Sequence, residues 1–302
     1  MPLVTIGIPV YNGGRFLKSS IESILAQTFS DIELLISDNA STDDTEDICR
    51  AYAKMDRRIL YARRRLNLGA SRNFNDVFRI SRGKYFKWAS NDDICEPRFI
   101  EECVRVLEAD SYTVLCCPRT KRIDEDGRVT GTYDLRLDTG SADPVTRFRE
   151  LLLVKHACFQ VFGVFRRRVL ARTMLLNNYT GSDRVLLGEV SLHGRFHEIP
   201  EYLFRRRSHA GESRLLFPDS NERVEWFDPS KKGRIVFSQW RLLIEYYNAV
   251  QRSPISSRER LRCCVMIAKW AKKHWRFFGH DIKAAGRRVM HKRAVMNTVK
   301  VK

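Results

Sequence analysis

The 302 residues carry 54 Lys and Arg against 36 Asp and Glu, a formal net charge of +18, and are 43% hydrophobic and 11% aromatic. That balance supports a sizeable core, in one large domain or a domain plus an appendage, and it argues against a disordered chain. The charge is uneven: residues 231–302 hold 19 basic and 3 acidic side chains, or +16, and the remainder only +2, so an anionic partner is expected at the C-terminal quarter, either a membrane surface or nucleic acid.

Val4 to Val10 is a β-branched run and reads as a buried strand, followed by the turn Tyr11-Asn12-Gly13-Gly14. Leu17, Ile21, Ile24 and Leu25 have helical spacing. Ile32 to Ile36 predicts a second strand, and the polar stretch Ser37 to Asp44 supplies N-cap candidates for a helix bearing Ile48, Tyr52 and Met55. A third strand over Ile59 to Ala62 leads through Asn67-Leu68-Gly69 into a helix with Phe74, Val77 and Phe78. Tyr85 to Ala89 is short and aromatic, hence a buried strand, and it runs into Asn91, Asp92 and Asp93 before Pro97 and another helical pattern. This β-α alternation predicts a mostly parallel, doubly wound sheet whose strand-to-helix junctions gather on one edge. Asp38, Asn67, Arg72, Asp92 and Asp93 are therefore expected around one cleft, where ligands of such sheets bind. No Gly-x-Gly-x-x-Gly and no Walker loop follows the first strand.

The alternation stops after a fifth strand, Thr113 to Cys117. Asp126-Gly127 signals a hairpin, Phe159 to Phe165 is β-like, Asp183 opens a helix with Leu186, Leu187 and Val190, and Tyr202 to Phe204 is a short strand before Arg205-Arg206-Arg207. From about residue 235 the chain reads as helical, with an apolar stripe Val236, Trp240, Leu243, Tyr247 and Val250. Pro254 stops that helix, and Ser256 and Glu259 form a capping box for the next, which carries Trp270, Trp275, Phe277 and Phe278 among Lys and Arg. The eight cysteines form no Cys-x-x-Cys pair and are expected to be reduced core thiols. The chain enters its first strand directly, so no secretory signal is expected, and no apolar run approaches the roughly 20 residues of a membrane span. A cytoplasmic location follows from these expectations.

Two adjacent carboxylates at a strand end either bind a divalent cation that carries phosphates or merely cap the next helix. The motifs in their order decide what is expected. Ile8-Pro9-Val10-Tyr11-Asn12, Ser37-Asp38-Asn39-Ala40-Ser41-Thr42-Asp43, Asn67-Leu68-Gly69, Ala70-Ser71-Arg72-Asn73, Ser90-Asn91-Asp92-Asp93, Gly181-Ser182-Asp183 and Arg207-Ser208-His209 with Ser213 together resemble the family 2 glycosyltransferases of GT-A fold. The resemblance spans about residues 3–215 and implies an inverting transferase that uses a nucleotide diphosphate sugar and Mn²⁺ or Mg²⁺. It implies Asp92 as metal ligand and Asp183 as catalytic base. It implies Pro9, Tyr11, Asn12, Asp38, Asn67, Arg72, Asn91, Asp93, Arg207, His209 and Ser213 around the donor. Asp38 would read the uracil imide, and Arg72, Arg207 and His209 would meet phosphate oxygens. Three departures stand out: Asn39 and Ala40 replace Asp and Gly, Ser90 replaces the first Asp of Asp-x-Asp, and Ser182 replaces an acid.

The acceptor is expected to be a saccharide or a lipid-linked hydroxyl, in cell-surface polysaccharide synthesis. The domain is expected over 1–225 and a basic helical extension over 226–302. That extension is expected on anionic membrane, with Trp270, Trp275, Phe277 and Phe278 at the interface, or packed on the domain. A sugar-nucleotide nucleotidyltransferase and a basic nucleic-acid-binding protein are the competing classes, although no specific nucleic acid is expected. By their residue types alone, Asp38 is equally a turn cap, Asp183 an N-cap, His209 a surface histidine and Arg205 to Arg207 a solvated charge run.

Overall fold

The structure is a computed structural model that describes residues 1–216, 220–232, 234, 236–279 and 281–282. Strands β1 (Val4–Val10), β2 (Ile32–Asp38), β3 (Ile59–Arg63) and β4 (Tyr85–Trp88) alternate with helices α1 (Gly14–Leu25), α2 (Thr45–Met55) and α3 (Ala70–Arg79). A two-residue strand β5 (Ile94–Cys95) precedes α4 (Phe99–Ala109), β6 (Thr113–Ile123) and β7 (Val129–Tyr133). Then come α5 (Pro144–Leu153), β8 (Val164–Arg166), α6 (Arg167–Leu170), α7 (Ser182–His193) and β9 (Arg195–Arg207). The chain continues as α8 (Ser213–Leu216), α9 (Ser220–Phe227), α10 (Ser238–Arg252) and α11 (Ser257–Lys273).

The sheet runs β3-β2-β1-β4-β8-β6-β9-β5, with β7 on β6. Its first four strands are parallel, as the β-α alternation requires, and β1 lies between β2 and β4. Beyond β4 the sheet is mixed: β8 is antiparallel to β4 and β6, while β9 is parallel to β6. Phe159 to Phe165 is not one strand. Phe159–Phe162 forms a 3-10 turn, and only Val164–Arg166 pairs.

The strands bury both faces, so β1 is enclosed along its whole length. Val4, Ile6, Leu17, Ile21, Leu34, Phe99 and Ile100 fill one face, and Val77, Phe86, Trp88, Phe165, Leu186 and Leu187 the other. Lys87 sits unexpectedly in this core. Its ammonium bonds the carbonyls of Phe162 and Trp88 and lies 4.4 Å from the centre of the Phe99 ring, an arrangement in which carbonyls and π-faces replace an anion.

The C-terminal helices share a third core with α5 and α7, made by Phe148, Val185, Leu192, Tyr246, Val250, Cys263, Ile267 and Trp270. The division expected at 225/226 falls inside α9, and the helices beyond it share their core with α5 and α7. The capping box Ser256/Glu259 is formed as read. On α10 the buried side chains are Ser238, Glu245, Tyr246, Ala249 and Val250, while Trp240 and Tyr247 of the expected stripe are exposed. All eight cysteines are free, and seven are buried.

Candidate active site

The strand-to-helix turns are knotted together at the C-terminal ends of β1 and β2. Asn12, at φ 48°, donates its N–H to Ser41 Oγ (2.9 Å) and accepts from the Thr42 N–H at Oδ1 (2.8 Å). The Gly13 and Gly14 amides donate to Thr45 Oγ1 and Asp43 Oδ2, each at 3.0 Å. Gly13 has no room for a side chain, since a Cβ there would stand 2.4 Å from the Asn91 amide. The turn thus brings Asn91 of the β4–β5 loop against the first turn of the chain. Burial raises the Asp43 carboxyl, but hydrogen bonds from Thr45 and Gly14 outweigh it and hold the group below its usual range.

Asp38, at the end of β2, is fully buried. Its Oδ1 accepts from the Ser41 N–H (2.8 Å) and its Oδ2 from the Tyr61 hydroxyl (2.8 Å), with Arg63 Nε at 3.4 Å. In this arrangement Asp38 closes a turn. The exposed groups beside it are Tyr11, at 44%, and Asn67 and Arg72. Pro9 lies within buried β1, opposite Ser37. Asn73, buried on α3, donates to the carbonyls of Val10 and Ser37 at 3.2 and 2.9 Å and so fastens α3 to the ends of β1 and β2.

The β4–β5 loop carries the acidic pair. Neither acid caps α4, whose N-cap is Arg98. Asp92 accepts from the Ser90 hydroxyl at Oδ1 and meets His209 Nε2 at Oδ2 over 2.9 Å. The Gly211 N–H points at His209 Nδ1 (3.2 Å), which assigns the ring proton to Nε2, the donor to Asp92. Burial works to raise the Asp92 carboxyl, but His209, Arg206 and Ser90 prevail and lower it, so Asp92 is ionised. Phe16 of α1 packs on the His209 ring, centroids 4.9 Å apart.

Asp93 turns inward. Its Oδ1 accepts from the Arg207 N–H (2.9 Å) and Arg206 Nη1 (3.1 Å), and its Oδ2 is buried without a partner. Burial pushes this carboxyl up to about 7, and the charge of Asp92 adds to the effect against Arg206. Arg207 is also buried and spends Nε and Nη1 on the carbonyls of Asp92 (2.9 Å), Asp124 (3.1 Å) and Glu125 (2.7 Å). It therefore positions the acidic loop. Arg206 was not singled out by the sequence, yet it is the cation that bridges Asp92, Asp93 and Glu212. Strand alternation within Arg205-Arg206-Arg207 was the available signal: Arg205 pairs with Glu96 and Arg207 is buried, so a charge run reading misses all three. Ser213 opens α8, and its side chain lies outside the described residues.

Asp183 stands elsewhere, in the first turn of α7, and makes no direct contact with the Asp92–His209 group. It is not the N-cap. Gly181 holds that place at φ +86°, a left-handed conformation that suits glycine, with Leu242 of α10 against it. Asp183 Oδ1 accepts from the Arg184 N–H (2.9 Å), and burial, with the nearby Asp183 charge, pushes the Cys158 thiol up.

Among the described residues no group of three or more His, Cys, Asp or Glu is arranged to hold a metal ion. One ionised carboxylate, Asp92, remains with lone pairs to spare. Mg²⁺ and Mn²⁺ accept such a site when substrate phosphates and water complete the shell.

This architecture is that of the GT-A glycosyltransferases. The chain superposes on TarS 1–349 of S. aureus in complex with UDP-GlcNAc with a TM-score of 0.68 at 11% identity, over 89% of this chain and 72% of that one. It superposes on the mannosyltransferase PcManGT of Pyrobaculum calidifontis, solved with GDP-Man and Mn²⁺, with a TM-score of 0.57 at 14% identity, over 100% and 81% of the two chains. Residues 5–173 match the family described as glycosyl transferase family 2, and the chain belongs to that family. An uncharacterized glycosyltransferase of Haemophilus influenzae is 26% identical over 78% of this chain and 74% of its own length. An uncharacterized glycosyltransferase of Rickettsia prowazekii is 39% identical over 35% of this chain, which spans about a third (32%) of that relative's length.

Proposed function

We propose that the protein is an inverting transferase that moves a sugar from a nucleotide diphosphate, uridine-linked, to a hydroxyl of a saccharide or lipid-linked acceptor in cell-surface polysaccharide synthesis. The observation that carries the reading is the ionised Asp92 held between Ser90 and His209 at the strand-end edge, within a family 2 domain. Departure of a nucleoside diphosphate gathers negative charge, and a divalent ion on Asp92 would neutralise it. His209 orients that carboxylate, Arg206 supplies fixed positive charge behind it, and Arg207 fastens the loop. The exposed ring of Tyr11, with Asn67 and Arg72 near it, offers a face and donors for the nucleotide. Asp183 takes the acceptor proton. Family membership leaves the nucleotidyltransferase and nucleic-acid readings without support.

Titration calorimetry with UDP and Mn²⁺ tests the donor site. The wild-type protein should bind UDP roughly tenfold more tightly with the metal than without it, and Asp92→Ala should lose that difference. Metal-dependent affinity that survives in Asp92→Ala removes Asp92 as the ligand.

The membrane expectation needs revision in half of its residues. Trp270 and Phe278 are buried against Tyr246 and Trp240, so they stabilise the fold and do not enter lipid. No helix among the described residues is long and apolar enough to cross a membrane. What remains outside is a face of α11 and the residues after it, where Leu261, Val265, Trp275 and Phe277 are exposed between Arg258, Lys269, Lys272 and Arg276. This mixture suits the surface of an anionic bilayer on the cytoplasmic side, each basic residue contributing about 1 kcal/mol. In flotation, the full chain should rise with vesicles containing phosphatidylserine and not with phosphatidylcholine alone. Lys269→Glu combined with Lys272→Glu should abolish the difference. Equal flotation with both lipids in the wild type rejects the surface.

A further inference from the structure

His209 reaches Asp92 from a segment of irregular backbone, residues 208–212, between β9 and α8. Such a segment has no helix or ladder to hold it, so the place of the imidazole depends on where its amides bond. Four successive N–H groups have partners. Ser208 donates to the Ile123 carbonyl (2.8 Å), His209 to Glu212 Oε1 (3.2 Å), Ala210 to Glu125 Oε1 (3.1 Å) and Gly211 to His209 Nδ1 (3.2 Å). The second and fourth of these bonds stay within the segment. The two that leave it flank His209, and both end on the β6–β7 hairpin, one at the backbone of Ile123 and the other at the side chain of Glu125.

The tip of that hairpin is itself fixed. The Asp124 carbonyl accepts from the Gly127 N–H (3.1 Å) and Asp124 Oδ1 from the Arg128 N–H (2.8 Å). Buried Arg207 donates to the carbonyls of Asp124 and Glu125 from below. Glu125 Oε2 also pairs with Arg15 of α1. The guanidiniums of Arg15 and Arg207 lie 4.8 and 4.7 Å from the centre of the Phe16 ring, which packs on His209. The Arg15–Glu125 pair is exposed, and an exposed pair contributes little. The amide is the stronger influence: first the Ala210 N–H, then the Arg15 side chain, holds the Glu125 carboxyl below its usual range.

We propose that Glu125 is a positioning residue of the donor site, whose carboxylate oxygen, bound to the Ala210 N–H, holds His209 in contact with Asp92. The inference rests on the reading of Asp92 as the residue that carries the divalent ion, and it gives the hairpin a part in that site. With the Ala210 N–H released, the imidazole would lose one of its two flanking anchors. Asp92 would then keep only Ser90 and Arg206 to orient it.

Two substitutions separate the amide bond from the ion pair. Glu125→Ala removes the acceptor of the Ala210 N–H, whereas Glu125→Gln keeps an oxygen there and loses only the charge that meets Arg15. The side chain is 36% exposed, and an unchanged melting temperature will confirm that both variants fold. In NMR spectra of the full chain labelled in its histidines, the Nε2–H resonance of His209 is identified by its loss in His209→Ala. It should stay in place in Glu125→Gln and shift or vanish in Glu125→Ala. Titration calorimetry with UDP and Mn²⁺ should show the metal-dependent gain in affinity reduced roughly tenfold in Glu125→Ala and intact in Glu125→Gln. In the His209→Ala background Glu125→Ala should cost nothing more, since both act through one contact. An unmoved His209 resonance in Glu125→Ala overturns the proposal, as does a loss in Glu125→Gln equal to that in Glu125→Ala, or losses that add in the double variant. If the wild type binds UDP no better with Mn²⁺ than without it, the reading of Asp92 fails, and the His209 resonance alone still decides the part of Glu125.

Discussion

Asp183→Asn should lower sugar transfer by roughly a hundredfold or more while leaving the fold and UDP affinity unchanged. The substitution keeps the size of the side chain and the oxygen that accepts from the Arg184 N–H. It removes only the ability to take a proton. The surroundings make the comparison clean: Gly181 sets the backbone, and Leu186, Leu187 and Val190 anchor α7 in the core. Single-turnover transfer to acceptor measures the effect, with UDP binding as the control. A wild-type rate would reduce Asp183 to a residue that only stiffens the helix start. The product's anomeric configuration, read by NMR, provides an independent check, since a single displacement inverts it.

The largest effect on stability is expected from Arg252→Ala. Glu189 is buried in the middle of α7, and Arg252 of α10 grips both of its oxygens, at 3.0 and 3.2 Å. Burial holds the Glu189 carboxyl above its usual range, and Arg252 opposes that rise. Removing the guanidinium leaves an unpaired buried carboxylate, at a cost of about 3 kcal/mol at neutral pH. The sign with pH follows from the raised value. An acid whose folded pKa lies above its unfolded one destabilises the fold as pH rises from the unfolded towards the folded value. Without Arg252 the folded value moves further up, so the deficit should be smaller at pH 5 than at pH 8. Urea unfolding at both values decides it, and Glu189→Gln in the Arg252→Ala background should recover part of the loss. An equal deficit at both pH values would assign it to packing.

The parallel half of the fold is legible in the sequence because each of β1 to β4 is a short apolar run followed by a polar turn and a helix of regular spacing. The same logic locates the acidic loop at a strand end. What it does not give is which way a polar side chain turns once there. Asp38 ends β2 and Asp92 lies in the loop after β4, yet Asp38 is consumed by Ser41 and Tyr61 while Asp92 meets His209. Those partners come from distant segments, and a linear pattern does not contain them. Arg206 and Arg207 differ for the same reason. Lys87 shows the converse: a lysine within an aromatic run is buried because Phe99, Phe204 and a carbonyl from the 3-10 turn enclose it. Aromatics mixed with basic residues suggested a lipid-facing helix, but Trp270 and Phe278 face the core that α5 and α7 complete.

That shared core has a mechanical consequence. Tyr246, Val250, Ile267 and Trp270 fasten α10 and α11 to α7, whose first turn carries Asp183. Whatever the outer face of α11 rests upon is therefore held at one angle to Asp183, the proposed base. A molecule anchored to the same support would arrive at a set height and orientation, and the hydroxyl chosen for glycosylation would be the one at that height. Regiochemistry would then be written in the stiffness of a helix pair, and loosening the pair, for instance with a cavity at Trp270, would broaden the set of products rather than slow their formation.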